Sequence, residues 1–195
     1  MHLVHLCENS SARLLLAASL LTGLSCKSHP PLEFGAGLDV PYVQTAPGVV
    51  TAMLRMAEVH PGDVVMDLGC GDGRISIAAV REFGAEGIGY DIDPQRIAEA
   101  RRNAVSAGVA RHTQFFEQNF FQADISRASV ITVFLMPAVL EQFRGHFLHD
   151  LAPGTRIVSH SFPLRDWPPQ RKIIVEGRTL YLFIVPPASA ERPPA

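Results

Sequence analysis

Alternating glycines and two nearby acids make one loop of this sequence suited to binding a nucleotide-like cofactor. Residues 65–73 read Val-Met-Asp-Leu-Gly-Cys-Gly-Asp-Gly, with glycines at 69, 71 and 73. Glycine lets the backbone turn tightly and approach a ligand closely. Such a loop, between a strand and a helix, binds its ligand outside the carboxyl ends of the strands of an open α/β sheet.

The spacing of the glycines and the acids around them distinguishes between cofactors. The nicotinamide fingerprint G-x-G-x-x-G requires glycine at position 74, where this sequence has Arg74. Asp67 is unfavourable for a pyrophosphate but suits the ammonium of S-adenosyl-L-methionine. Asp91 lies about 20 residues past Gly71, where a carboxylate accepts hydrogen bonds from ribose hydroxyls. The pattern therefore predicts S-adenosyl-L-methionine, with a nicotinamide cofactor or a glycine turn without ligand as the alternatives.

Alternating strand and helix patterns place this loop in an α/β domain. Short apolar runs bounded by turn residues indicate buried parallel strands, and apolar residues at helical spacing indicate helices. We expect strands at 64–68, 87–91, 112–116, 130–135 and 155–159, helices at 74–83, 94–107 and 137–151 and from Pro47 onward, and a hairpin of 172–176 and 179–185. The expected fold is a doubly wound, Rossmann-like, seven-stranded sheet, mostly parallel with an antiparallel C-terminal strand.

Composition limits the other classes of function. The 195 residues are 47% hydrophobic and carry a formal net charge of −2, which allows one domain with a sizeable core. Nucleic-acid binding requires a basic face, so we expect no nucleic-acid partner. The three cysteines, Cys7, Cys26 and Cys70, lack metal-ligand spacing, and no metal is expected.

The first 26 residues predict a targeting segment. Residues 14–24 form an apolar run after Arg13 that is too short to span a bilayer but matches the apolar part of a secretory signal. Cys26 suggests a lipidated cysteine, although Gly23 stands where lipoprotein signals usually have Leu, Val or Ile. We expect residues 1–26 to place the protein at the membrane or cell envelope. A disordered leader, or a wrongly assigned start codon on a cytoplasmic protein, is the alternative.

Further motifs before and after the loop complete a family pattern. These are Asp-Val-Pro-Tyr-Val-Gln-Thr at 39–45, the block 61–93, and Val-Ser-His-Ser-Phe at 158–162 with Trp167. The sequence resembles class I S-adenosylmethionine-dependent methyltransferases, and more narrowly the small protein-lysine methyltransferases that modify the ATP synthase c-subunit and the adenine nucleotide translocase. The resemblance covers residues 39–185, taken as the methyltransferase domain, between a linker at 27–38 and a disordered tail at 186–195.

The resemblance implies roles for individual residues. Asn119 stands where the family usually has an acid that binds the adenine amino group, and its carbonyl can accept the same hydrogen bond. Ile92 is expected to cover the adenine, Asp91 to bind the ribose, and Asp67 and Gly69 to lie beside the methionine part. The expected cofactor-binding residues are Asp67, Gly69, Cys70, Gly71, Asp91, Ile92 and Asn119. The expected catalytic residues on the acceptor side are Tyr42, Thr45, His160 and Trp167. The alternatives are packing of the leading loop on the core for Tyr42, a hydrogen-bonded histidine that holds the loop after the fifth strand for His160, and cover of the sheet edge for Trp167.

The activity that the resemblance implies is methyl transfer to a protein lysine amine. Such a transfer needs alignment, a desolvated site and a neutral nucleophile, and an apolar pocket favours the neutral amine. The partner is then a protein substrate, a membrane protein included, and the enzyme is expected to be a monomer. A small-molecule methyltransferase and a non-catalytic, cofactor-binding envelope protein are the alternatives.

Overall fold

The computed structural model of the protein describes residues 43–187. Its helices are α1 (Pro47–Met56), α2 (Arg74–Phe83), α3 (Pro94–Ser106) and α4 (Pro137–Asp150), and a 3₁₀ helix spans Phe120–Gln122. Its strands are β1 (Val64–Leu68), β2 (Glu86–Asp91), β3 (Thr113–Glu117), β4 (Val130–Val133), β5 (Arg156–His160), β6 (Arg171–Val175) and β7 (Arg178–Ile184). The predictions for Tyr42, for segments 1–26 and 27–38, and for the tail beyond 187 lie outside the described residues.

The strands form a single sheet whose order confirms the expected fold. The order is β3-β2-β1-β4-β5-β7-β6. Strands β1 to β5 pair in parallel, and β7 runs antiparallel to β5 and β6. The strand order reverses between β1 and β4, and open α/β sheets bind ligands at the carboxyl edge of such a switch point. The glycine loop that follows β1 therefore lies where a ligand is expected.

Helices cover both faces of the sheet and bury the apolar side chains that alternate along the strands. On β1, Met66 and Leu68 pack in the cluster that contains α4 residues Phe143 and Phe147. Val65 packs on the opposite face with residues of α1 and α2. Proline occupies the first turn of α1, α3 and α4, where its missing N–H costs nothing. No helix within 43–187 is long and apolar enough to cross a bilayer.

Strand β4 is shorter than the sequence predicts. The apolar run continues to Leu135, but the strand ends at Val133. Val133 pairs with Leu68, the last residue of β1, and with Ser159 near the end of β5. Residues 134–136 therefore leave the sheet at its carboxyl edge before Pro137 begins α4, and they contribute to the site rather than to the strand.

A buried ion pair stabilises the sheet at the amino ends of its parallel strands, opposite the carboxyl edge. Asp63 accepts hydrogen bonds from the amide of His60, from Ser129 Oγ and from Arg156. Arg156 also donates to the carbonyl of Ala57 at the end of α1. Burial opposes ionisation of Asp63, but these three donors together outweigh it and lower its pKa. The network therefore holds α1 and the starts of the central strands in register while the other edge stays free for the site.

Candidate active site

The glycine loop turns through backbone conformations that other residues rarely adopt. Gly69, Gly71 and Gly73 have φ values of 81°, 52° and 79°, in the left-handed region that a Cβ disfavours. At Gly73 a Cβ would also lie 2.7 Å from the Phe115 ring and 2.8 Å from Ala100. The third glycine therefore serves two purposes, because it shapes the loop and lets α3 and β3 pack closely beneath it.

Backbone hydrogen bonds fix the loop to the end of β2. The amides of Gly69 and Cys70 both donate to the carbonyl of Tyr90 at 2.9 Å, and the amide of Gly73 donates to the carbonyl of Cys70. The Cys70 side chain is buried, and a Cβ at Gly89 would lie 2.7 Å from its Sγ. Burial raises the pKa of the thiol, and nearby acids add to this. Cys70 thus supports the loop through a protonated, inward-packed side chain.

Asp91 is held in a fixed orientation at the end of β2. Its Oδ2 accepts from the Gly71 amide at 2.8 Å and its Oδ1 accepts from the Asp93 amide at 3.0 Å. A carboxylate offers about four acceptor positions, so each oxygen keeps one for a ligand, which suits two neighbouring hydroxyls. The next residue, Ile92, is 69% exposed and presents an apolar surface beside this carboxylate. Both placements suit the predicted ribose and adenine contacts.

Asp67 is the buried acid of the site. It is 3% exposed, and its Oδ1 accepts a hydrogen bond of 2.7 Å from Thr132 Oγ1. Burial raises its pKa, the charges of Asp91 and Asp72 raise it as well, and the Thr132 hydrogen bond opposes them, so that the pKa lies at about 7. A cation bound nearby would favour the ionised form. Asp67 and its acidic neighbours therefore suit a ligand that carries an ammonium and a sulfonium.

Two of the four predicted acceptor-side residues meet at the carboxyl ends of β4 and β5. Thr45 Oγ1 lies 3.3 Å from His160 Nδ1, and the His160 ring lies 3.9 Å from the Phe134 ring, measured between centroids. Arg74 Nη1 donates to the Thr45 carbonyl at 2.8 Å, and its Nε donates to Asp72 at 2.9 Å. The segment before α1 is therefore tied to the glycine loop on one side and to β5 on the other.

His160 is neutral in this environment. It is 2% exposed, and burial lowers its pKa to about 4, with the positive charge of Arg178 adding to the effect. The following residue, Ser161, has a φ of 69°, and its amide donates to the carbonyl of Thr179. The end of β5 is thus turned sharply and held against β7, which fixes the imidazole at the edge of the site.

Two further predicted residues, Trp167 and Asn119, lie in supporting positions. Trp167 is 6% exposed and packs in the core, with its ring centroid 5.7 Å from that of Phe183, as the packing alternative expected. Asn119 Oδ1 accepts from the Phe121 amide at 3.0 Å and caps the 3₁₀ helix. This oxygen keeps a second lone pair for a ligand. The adenine contact of Asn119 stays a prediction.

Sequence reasoning missed three residues of this site. Arg74 was noted only as the residue that breaks a nicotinamide fingerprint, although it joins the loop to Thr45. Thr132 lies within the apolar run of β4 and attracted no attention there, although its hydroxyl donates a hydrogen bond to Asp67. Phe134 was assigned to the strand itself. A lone threonine among Val and Ile residues, opposite an acid on the neighbouring strand, was the available signal.

Comparison with known proteins identifies the family. Residues 67–171 match the ANTKMT methyltransferase domain. A protein-lysine N-methyltransferase of Saccharolobus islandicus is 43% identical over 75% of this chain and 94% of its own length. The lysine N-methyltransferase of the ATP synthase c-subunit from Xenopus laevis is 32% identical over 72% of this chain, which spans 61% of that protein.

A solved structure agrees in fold and in cofactor. An RNA methyltransferase of Salinibacter ruber in complex with S-adenosyl-L-homocysteine is 43% identical, with a TM-score of 0.75, and the match covers 78% of this chain and all of that one. The glycine loop, Asp67 and Asp91 suit the same cofactor. This chain belongs to the ANTKMT methyltransferase domain family and is a methyltransferase that uses S-adenosyl-L-methionine.

Proposed function

We propose that this enzyme methylates the ε-amine of lysine residues in a protein substrate. The observation that carries the proposal is the 43% identity with the Saccharolobus islandicus protein-lysine N-methyltransferase across 94% of that protein. The match therefore extends over nearly the whole length of that protein.

The chain's own residues supply binding, orientation and desolvation. The cofactor, when bound, supplies an electrophilic methyl group on its sulfonium. Asp67 and Asp91 hold and orient the cofactor, and the apolar residues Phe134, Leu135 and Met136, which follow the end of β4, would give the acceptor an apolar wall. An apolar wall disfavours an ammonium and so lowers the pKa of a lysine amine. Because burial lowers the pKa of His160 to about 4, its imidazole is a weak base and is not expected to take the amine's proton.

RNA methylation is the second candidate, because the Salinibacter ruber protein is described as an RNA methyltransferase at the same 43% identity. Charge argues against it. Binding to phosphate backbones depends on clustered Lys and Arg, whereas this chain has a net charge of −2, and the acids Asp67 and Asp91 lie at the site. An RNA base could reach the site only if the phosphates of the RNA backbone stayed away from these acids.

Transfer of a radioactive methyl group separates the candidates. The purified enzyme is incubated with labelled S-adenosyl-L-methionine and a cell extract, which is then divided by protease digestion, ribonuclease digestion and dialysis. We expect protease-sensitive label, with mass spectrometry placing the added methyl groups on lysine. Asp91→Ala, which removes the predicted ribose contact, is the control in which labelling should fall. Label in the ribonuclease-sensitive or the dialysable fraction would contradict the proposal in favour of RNA or a small molecule.

The proposal includes attachment of the domain to a membrane by its N-terminal segment. The support is sequence alone: the apolar run at 14–24 and the cysteine at position 26. Because S-adenosyl-L-methionine is made in the cytosol, the attached domain should face the cytosol. Fractionation of a C-terminally tagged protein with N-terminal sequencing tests this, and an unprocessed protein found in the soluble fraction would refute it. Size-exclusion chromatography of the same protein tests the expected monomer.

A further inference from the structure

His160 carries a buried ring nitrogen that no residue within 43–187 satisfies. Its Nδ1 contacts Thr45 Oγ1 at 3.3 Å, whereas its Nε2 has no hydrogen-bond partner among these residues. Buried polar atoms are almost always paired, because leaving one unpaired costs free energy. The sheet order places β5 beside β4 and β4 beside β1, so this nitrogen lies at the same edge of the sheet as the glycine loop. Its missing partner is therefore expected in a ligand.

Thr45 determines which ring nitrogen of the His160 imidazole carries the proton. A hydroxyl can donate or accept, and a neutral imidazole has one nitrogen of each kind. If Thr45 Oγ1 donates to Nδ1, the hydroxyl proton is satisfied and the ring proton lies on Nε2. The opposite arrangement leaves both the hydroxyl proton and Nε2 unpaired. The first arrangement has fewer unpaired groups, so His160 presents an N–H donor to the ligand.

The charges around the site determine what kind of ligand group this donor meets. The amino-acid part of S-adenosyl-L-methionine carries an ammonium and a carboxylate. On the side of β1 and β2, Asp67 and Asp91 attract the ammonium and repel the carboxylate, whereas the charge of Asp72 is paired with that of Arg74. On the side of β5 and β7, Arg178 contributes positive charge at His160. Phe134, the neighbour on the β4 side, is uncharged. A carboxylate is favoured on the His160 side.

We propose that His160 Nε2–H donates a hydrogen bond to the carboxylate of S-adenosyl-L-methionine, with Thr45 as the positioning residue that fixes its tautomer. This assigns both residues to the cofactor rather than to the acceptor pocket. The proposal does not depend on which molecule receives the methyl group, so its test remains meaningful whether or not lysine methylation is found.

Calorimetry with two ligands tests the proposal without an activity assay. The ligands are S-adenosyl-L-homocysteine and its decarboxylated analogue, bound to the full-length protein, to His160→Phe and to His160→Gln. Because a hydrogen bond to a charged group is involved, His160→Phe should weaken S-adenosyl-L-homocysteine binding about tenfold to a hundredfold and leave analogue binding unchanged. His160→Gln, which keeps an amide donor, should recover part of the loss. Equal weakening of both ligands would overturn the proposal, because it would indicate a structural role.

Nitrogen NMR of the histidine rings tests the proposal in the unmodified protein, independently of how the variants fold. The chain has eight histidines, and the His160 signal is the one missing from His160→Phe. S-adenosyl-L-homocysteine should shift its Nε2–H resonance, the decarboxylated analogue should not, and Thr45→Val should change the tautomer. A ring that responds to an added lysine peptide but not to S-adenosyl-L-homocysteine would overturn the proposal and give the donor to the acceptor.

Discussion

Replacing Asp67 with asparagine should stabilise the cofactor-free protein at neutral pH, although this residue belongs to the cofactor site. The carboxyl is 3% exposed and accepts one hydrogen bond, from Thr132 Oγ1. An asparagine side chain has nearly the same shape, and its oxygen can accept the same bond. The substitution therefore removes a buried charge without opening a cavity.

The size of the effect follows from the pKa of Asp67. Burial raises that pKa from 3.8 to about 7, so between these values the native state keeps a proton that the unfolded chain has lost. The free energy of unfolding then falls by about 1.4 kcal/mol per pH unit as pH rises through this window, and by about 4 kcal/mol in total. Asparagine does not titrate. The free energy of unfolding of Asp67→Asn, relative to that of the wild type, should therefore grow by about 2–3 kcal/mol between about pH 5 and about pH 8.

Urea unfolding of the cofactor-free protein, followed by the fluorescence of Trp167, measures this difference. The chain has a single tryptophan, and it is buried, so its emission reports the global transition. Asp63→Asn is the matched control, because Asp63 is equally buried but has a lowered pKa and bonds to Arg156 and Ser129. That variant should be destabilised at neutral pH. An Asp67→Asn variant that is less stable than the wild type, or whose advantage does not change with pH, would refute the reasoning.

Three further predictions concern the cofactor and the loop. Affinity for S-adenosyl-L-methionine should rise about fivefold between about pH 6 and about pH 7 as Asp67 ionises, and calorimetry should show no such rise in Asp67→Asn. Asp91→Ala should weaken binding of S-adenosyl-L-homocysteine by about tenfold or more, and unchanged affinity would exclude its ribose role. Gly73→Ala should cost more than about 3 kcal/mol of stability, since its Cβ would meet the Phe115 ring at 2.7 Å. Gly108→Ala is the control, with a similar φ but open space around its Cβ; denaturation should show a loss of only about 1–2 kcal/mol.

The sequence predicted the fold well because its signals are local. Proline marks the start of three helices, glycine ends α2, and β-branched residues fill the central strands. The end of β4 could not be predicted from its composition, because it depends on where the neighbouring strands stop. Leu68 pairs with Val133, and residues 134 and 135 pass beyond that point despite their apolar character.

The candidate site was predictable only where its residues are close in sequence. The glycine loop and Asp67 form one short run, and their placement follows from the strand that precedes them. The contact between Thr45 and His160 joins residues 115 positions apart, and only the folded sheet brings them together. Trp167 shows the opposite case, because an aromatic residue after β5 suits a pocket and a core equally well, and only its burial at 6% distinguishes them.

The hydrogen bonds within the glycine loop also bear on the enzyme's choice among the nucleotides of a cell. In many proteins, loops of this shape bind phosphate through free backbone amides. Here the amides of Gly69, Cys70, Gly71 and Gly73 all donate within the protein. A triphosphate or pyrophosphate would meet occupied donors and the carboxylates of Asp67 and Asp91. The loop therefore disfavours phosphate groups, and ATP should compete poorly with S-adenosyl-L-methionine for the site.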